Sequence, residues 1–185
     1  MKHVVTLLII AVLIGPALAD PSARLDVQLG ATVAKVCRLG QVKVSSSQNA
    51  TFDANAEGGA IALNTLADRN TARALPATIS VTFDSVCNQT LYIRLVSAKG
   101  GLTPDEGTSA SGGFANRVDY TASLDWGTGQ TNLSTSGGSD ANSGVLLSGA
   151  QSGPVTLNIT IPPGAQPLVA GAYSDVLTVE FANSP

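Results

Sequence analysis

Residues 155–161 read Val155-Thr156-Leu157-Asn158-Ile159-Thr160-Ile161, with aliphatic side chains at every second position and polar ones between. That period of two turns one face to a core and the other to water. It fits a half-buried β-strand and not a helix, whose apolar residues recur every three or four positions. The same alternation runs through Ala77-Thr78-Ile79-Ser80-Val81-Thr82-Phe83 and through Val118-Asp119-Tyr120-Thr121-Ala122-Ser123-Leu124-Asp125-Trp126. Leu91, Ile93 and Leu95 share a face in residues 90–98, and Leu177, Val179 and Phe181 share one near the C-terminus. Residues 35–44 form a further strand, kinked near Gly40. Helix signals are nearly absent, and residues 64–74 carry only a weak pattern for one turn. Short strands separated by Gly/Pro turns such as Pro162-Pro163-Gly164 describe an all-β sandwich. Residues 100–115 and 127–153 are rich in Gly, Ser, Thr and Asn. They are expected to be long surface loops, with a short strand at Val145-Leu146-Leu147.

The N-terminus carries an export signal. Lys2 and His3 precede an apolar run over residues 4–13, and Ala17-Leu18-Ala19 is an A-x-A cleavage site. The run is too short for a comfortable membrane span, and no later segment suits one. The expected organisation is a signal peptide at 1–19, an N-terminal extension at 20–34 and one β-sandwich domain at 35–185, with no membrane span after cleavage. The extension contains Ala23-Arg24-Leu25-Asp26-Val27-Gln28-Leu29-Gly30-Ala31-Thr32-Val33, in which Leu25, Val27, Leu29, Ala31 and Val33 lie on one face. It reaches Cys37 without a Pro or a paired turn signal, and only Gly30 offers a bend. A free amphipathic strand at a terminus is expected to pair with a sheet edge on another molecule. The alternative is that it pairs within its own domain and completes an ordinary secreted sandwich.

The composition narrows the function. The formal charge of −3 becomes −4 once Lys2 is removed, and the basic residues are scattered. Nucleic acid is not an expected partner, because phosphate binding needs clustered Lys and Arg. The single His, His3, leaves with the signal, so no Ser–His or Cys–His pair can form and an enzyme is not expected. No cofactor or metal is expected. Asp53-Ala54-Asn55-Ala56-Glu57-Gly58 copies the opening of a calcium loop, but Asn64 stands where the bidentate Glu belongs. Cys37 and Cys87 in an exported chain are expected to form one disulfide, with two free buried thiols as the alternative. Closing a loop of about 50 residues would add about 4 kcal/mol on the chain-entropy account.

The last alternating segment ends near Phe181, with Ala182-Asn183-Ser184-Pro185 after it. A sandwich without its final strand would leave an apolar groove open along the core.

Four features together resemble the spore coat protein U-like pilins, subunits of the archaic branch of chaperone–usher pili. They are the signal followed by Leu25-Asp26-Val27-Gln28-Leu29 and Cys37, and Cys87 after Ile79-Ser80-Val81-Thr82-Phe83-Asp84. The others are Val118-Asp119-Tyr120-Thr121-Ala122-Ser123-Leu124, and the ending Ala170-Gly171-Ala172-Tyr173-Ser174-Asp175-Val176-Leu177-Thr178-Val179-Glu180-Phe181. The resemblance implies an incomplete immunoglobulin-like β-sandwich completed by a donor strand from another subunit. Its partners would be identical or related pilin subunits, a periplasmic chaperone and an outer-membrane usher. The product would be a surface pilus supporting adhesion or biofilm formation, or a secreted form. Leu25, Val27, Leu29, Ala31 and Val33 would be the donor side chains, and Leu177, Val179 and Phe181 would line the acceptor groove. Cys37 and Cys87 would staple the first strand to the second. The long Gly/Ser-rich stretch at 127–153 and the tail after Phe181 depart from the family pattern. Alternatives are a secreted coat or matrix protein of the same fold, or a monomeric extracellular binding module.

Overall fold

The computed structural model describes residues 28–54, 59–138 and 141–183. The chain divides into two units, Met1–Val33 and Ala34–Pro185. Residues 28–33 of the first unit are described. They form no strand, and Leu29 and Val33 are 95% and 82% exposed. Ala31 is exposed as well. Leu25, Val27 and the signal with its cleavage site lie outside the described residues.

The second unit is all-β, with no helix among the described residues. Its strands are β1 (Cys37–Leu39), β2 (Lys43–Gln48), β3 (Ala50–Asp53), β4 (Ala60–Leu63), β5 (Ala77–Cys87), β6 (Leu91–Ser97), β7 (Thr103–Pro104), β8 (Thr121–Trp126), β9 (Gly129–Ser134), β10 (Asn142–Leu147), β11 (Gln151–Ile161), β12 (Tyr173–Ser174) and β13 (Leu177–Asn183). The larger sheet runs β1-β5-β11-β8-β9, with β2 also paired to β5. The smaller runs β10-β6-β13, and β7-β12 and β3-β4 make two short ribbons. Every strand pair is antiparallel.

The alternation in the sequence decides which face is buried. On β5, Ala77, Ile79, Val81, Phe83, Ser85 and Cys87 are buried while the residues between them are not. Its partner β11 holds Val155 opposite Phe83 and Leu157 opposite Val81, so the apolar side chains of both strands lie on one face. Trp126 on β8 sits opposite Val155, which completes a row across three strands. Leu91, Ile93 and Leu95 of β6 supply the buried counterpart from the smaller sheet. Phe181 of β13 meets this row edge-on, 5.5 Å from Trp126 and 6.3 Å from Phe83 between ring centroids, a favoured aromatic geometry.

The kink at Gly40 is present. β1 ends at Leu39 and β2 begins at Lys43, while Gly40 N–H donates to Asp84 O at 2.6 Å. A Cβ at Gly40 would stand 2.9 Å from that oxygen, so the close approach needs glycine. Residues 64–74 hold no helical segment: the chain turns at 69–71, with Ala72 N–H on Asp68 O at 2.8 Å and Asp68 N–H on Arg73 O at 2.9 Å, and an antiparallel bridge joins Ala67 to Ala74.

One expectation is corrected. Residues 127–153 are not a long loop with a three-residue strand, for they contain β9 and the whole of β10. The inward positions of β9 are Gly129, Thr131 and Leu133. Two of these three are not apolar, so the sequence shows no hydrophobic alternation, yet Thr131 is 4% exposed. Thr131 Oγ1 and Ser143 Oγ of β10 share a hydrogen bond of 2.9 Å, and Leu147 of β10 packs over Gly129. The two sheets therefore meet along this side.

Candidate functional site

On the opposite side of the sandwich, among the described residues, β13 has one ladder partner, β6, and β2 has one, β5, and no ladder joins β2 to β13. Every residue of β1 and β2 is exposed, although the inner face of their neighbour β5 is buried. Among the described residues no strand is stacked on the inner face of this edge. Leu39, opposite the buried Ser85, is 54% exposed, and Val44, opposite Val81, is 44% exposed. Val42 between them is half-buried against the core.

The other wall is β13. Leu177, Val179 and Phe181 face inward in register with Ser97, Leu95 and Ile93. Those partners are buried, whereas all three β13 side chains are half-buried. The difference is that β6 is flanked on both sides and β13 on one. Edge strands are usually blunted by a bulge, a Pro or an inward charge. β2 carries a bulge between Val44 and Ser46, and Lys43 stands on it. β13 pairs with β6 without interruption over its whole length and contains no Pro. Its charged residue, Glu180, points outward and pairs with Arg94 at 3.0 Å.

The entry to β13 is fixed by the Asp175 carboxylate. Ser97 Oγ donates to Asp175 Oδ2 at 2.5 Å and Tyr120 OH donates to the same oxygen at 2.8 Å. The N–H groups of Lys99 and Val176 donate to Oδ1 at 2.9 and 2.8 Å. Burial pushes the Asp175 carboxyl up, but the hydrogen bonds from Ser97, Tyr120, Lys99 and Val176 outweigh it and hold the group below its ordinary range. Burial, with the Asp175 carboxylate alongside, pushes the Tyr120 hydroxyl up. The group joins β6, the lead to β8 and the start of β13, and so sets where the free edge begins. Nearby, Tyr173 OH donates to Val169 O at 2.9 Å, and Ser174 Oγ donates to Asp105. Hydrogen bonds from Ser174 and Lys99 keep Asp105 below the usual carboxylate range.

The opposite wall is stapled by the Cys37–Cys87 disulfide, whose residues face each other across β1 and β5 with Cα atoms 4.1 Å apart. Asn88 then brackets the chain leading into β1. Its Nδ2 donates to Ala34 O and its Oδ1 accepts from Val36 N–H, both at 2.8 Å, while Asn88 N–H donates to Val36 O at 3.0 Å.

The predicted wall residues Leu177, Val179 and Phe181 do share one face. Leu39, Val42 and Val44 are the aliphatic residues at the β1–β2 edge, and the sequence reading did not single these out. Ser97, Tyr120 and Asp175 were also missed as a unit. Tyr120 and Asp175 stood inside quoted motifs, but 55 residues separate them, and nothing in a strand pattern pairs them.

Chemically the site can do one thing well. Among the described residues β2 and β13 each keep one backbone edge without a ladder partner and carry aliphatic side chains on the inner face, the features that an added extended strand with alternating aliphatic side chains would use. Among the described residues no three His, Cys, Asp or Glu side chains converge as metal ligands, and no helix is long and apolar enough to cross a membrane. Comparison with family models, curated proteins and solved structures finds no match to this chain.

Proposed function

We propose that this chain is a structural subunit of a surface fibre assembled by donor-strand exchange, in the manner of the spore coat protein U-like pilins that its sequence resembles. The observation that carries the reading is the edge of β13. It carries no bulge, is bonded on one side among the described residues, and is lined inward by Leu177, Val179 and Phe181, which remain half-buried. On this reading the sandwich is immunoglobulin-like and is completed by Leu25, Val27, Leu29, Ala31 and Val33 of another subunit. A periplasmic chaperone occupies the same trough before assembly, and an outer-membrane usher exchanges one for the other.

The energetics favour such a contact. Burying four or five aliphatic side chains contributes on the order of 8 kcal/mol before the ordering cost. A strand with a ladder on each side adds backbone hydrogen bonds. The contact is head-to-tail and does not close on itself, so it propagates as a filament.

The test is a comparison of unboiled and boiled surface-sheared material. Donor-strand polymers give a ladder of detergent-resistant multimers that collapses to one band on boiling. Deleting residues 20–33, or Leu29→Asp, abolishes the ladder while the chain still folds. Fibres that persist in the deletion strain would refute the donor assignment.

A further inference from the structure

Beside the entry to β13 the loops and β7 line an open cleft of about 710 Å³, and no residue of β2 or β13 lines it. Its walls include Thr108, Phe114, Asn116, Arg117, Asp119 and Gln166. Backbone hydrogen bonds hold these walls. Ala115 N–H donates to Pro167 O at 2.8 Å, Val169 N–H to Ala115 O at 2.9 Å, and Asp105 N–H to Ala172 O at 2.8 Å. Asn116 Nδ2 donates across to Thr108 O at 3.1 Å.

Two features indicate what such a cleft takes. The first is Phe114. The chain has only eight aromatic residues, and Phe114 alone among them is an exposed one, at 45%. An aromatic ring left in water on a chain so poor in aromatics stands out against the buried Phe83, Tyr120 and Trp126. The second is charge balance. Arg117 Nε donates to Asp119 Oδ1 at 2.8 Å, and Lys99 Nζ donates to Asp105 Oδ1 at 3.1 Å and to Ser174 Oγ at 2.7 Å. Each cation beside the cleft already faces a carboxylate, so the site has no net attraction for an anion. What remains is a set of hydroxyl, amide, carboxylate and guanidinium groups next to one apolar ring face.

We propose that this cleft binds a neutral saccharide. A sugar ring offers a C–H face to stack on Phe114 and hydroxyl groups that both donate to Asp119 and Gln166 and accept from Arg117. An apolar ligand would leave those polar groups desolvated and unpaired. The inference is independent of fibre assembly and is read on the isolated mature chain.

The experiment presents folded mature protein to an array of glucose-, galactose-, mannose- and N-acetylglucosamine-terminated oligosaccharides, with sialylated and sulfated ones alongside. Titration calorimetry with the strongest free oligosaccharide follows. Neutral oligosaccharides are expected to bind. Phe114→Ala and Gln166→Ala should each weaken binding roughly three- to tenfold, the weight of one aromatic or polar contact. Both side chains are exposed, so the melting temperature should stay put. Leu146→Ser, on β10, should leave binding unchanged. No retained oligosaccharide, retention of acidic ones only, or affinity indifferent to both cleft variants would each overturn the proposal.

Discussion

Tyr120 and Asp175 meet through a 2.8 Å hydrogen bond that ties the lead into β8 to the first residues before β13. Tyr120 is 5% exposed, and Ser97, which donates to the same carboxylate oxygen, is 3% exposed. The polar cluster therefore sits at the margin of the core, where water competes poorly for its hydrogen bonds. It holds the beginning of the free edge against β6.

Asp175→Asn keeps the shape and removes the charge. The charge-assisted hydrogen bonds weaken, and stability should fall by about 2 kcal/mol, measured by urea unfolding at neutral pH. Ser97→Ala should fall in the same direction, and the double variant should lose less than the sum, because both changes act on one network.

The same carboxylate predicts an acid response. Its pKa in the folded protein lies below the ordinary value. Its contribution is therefore complete above the unfolded carboxylate range near about 4 and fades as pH falls through the lower folded value. Wild-type stability should decline below about pH 4 more steeply than that of Asp175→Asn. Parallel acid profiles for the two proteins would remove Asp175 from this role.

Reducing the Cys37–Cys87 bond, or Cys37→Ser with Cys87→Ser, should cost about 4 kcal/mol, since the bond closes a separation of 50 residues. Unfolding in denaturant with and without a thiol reductant reads the difference directly. A loss under about 1 kcal/mol would mean that the reduced, unfolded chain already keeps residues 37 and 87 close.

Trp126 is 1% exposed and its indole N–H is buried without a protein partner. Trp126→Phe loses contact area but also removes an unsatisfied donor. The two effects offset, and the net cost should stay below about 1.5 kcal/mol. Trp126→Ala opens a cavity under Phe181 and should cost about 4 kcal/mol. A cost for Trp126→Phe well above about 1.5 kcal/mol would show that the orphan donor carries no penalty large enough to offset the lost contacts.

Val179→Asp places a charge on the half-buried inner face of β13. Solvent still reaches the site in the free subunit, so the domain should fold with a loss of about 1–2 kcal/mol. In a filled trough the same charge is sealed from water, so detergent-resistant multimers should disappear. Multimers at wild-type yield would show that β13 does not border the occupied trough.

The strand pattern is legible in the residues because burial on one face of a sheet needs nothing but alternation. Ile79, Val81 and Phe83, Leu91, Ile93 and Leu95, and Val155 and Leu157 declare their inward positions without reference to any distant residue. Gly40 likewise marks its own kink. β9 escapes this logic because Gly129 and Thr131 fill inward positions where space and a hydroxyl partner matter more than hydrophobicity. Tyr120, Ser97 and Asp175 escape it because a hydrogen-bond cage has no sequence period. What the sequence alone determined is which residues alternate, and so the β character and the inner face of each strand. Only the tertiary structure decided that β9 leans on β10 while β13 and β2 stay apart. Which edges are satisfied depends on the order of strands in space, and that order arises from packing two sheets of unequal width, not from any local preference of the chain.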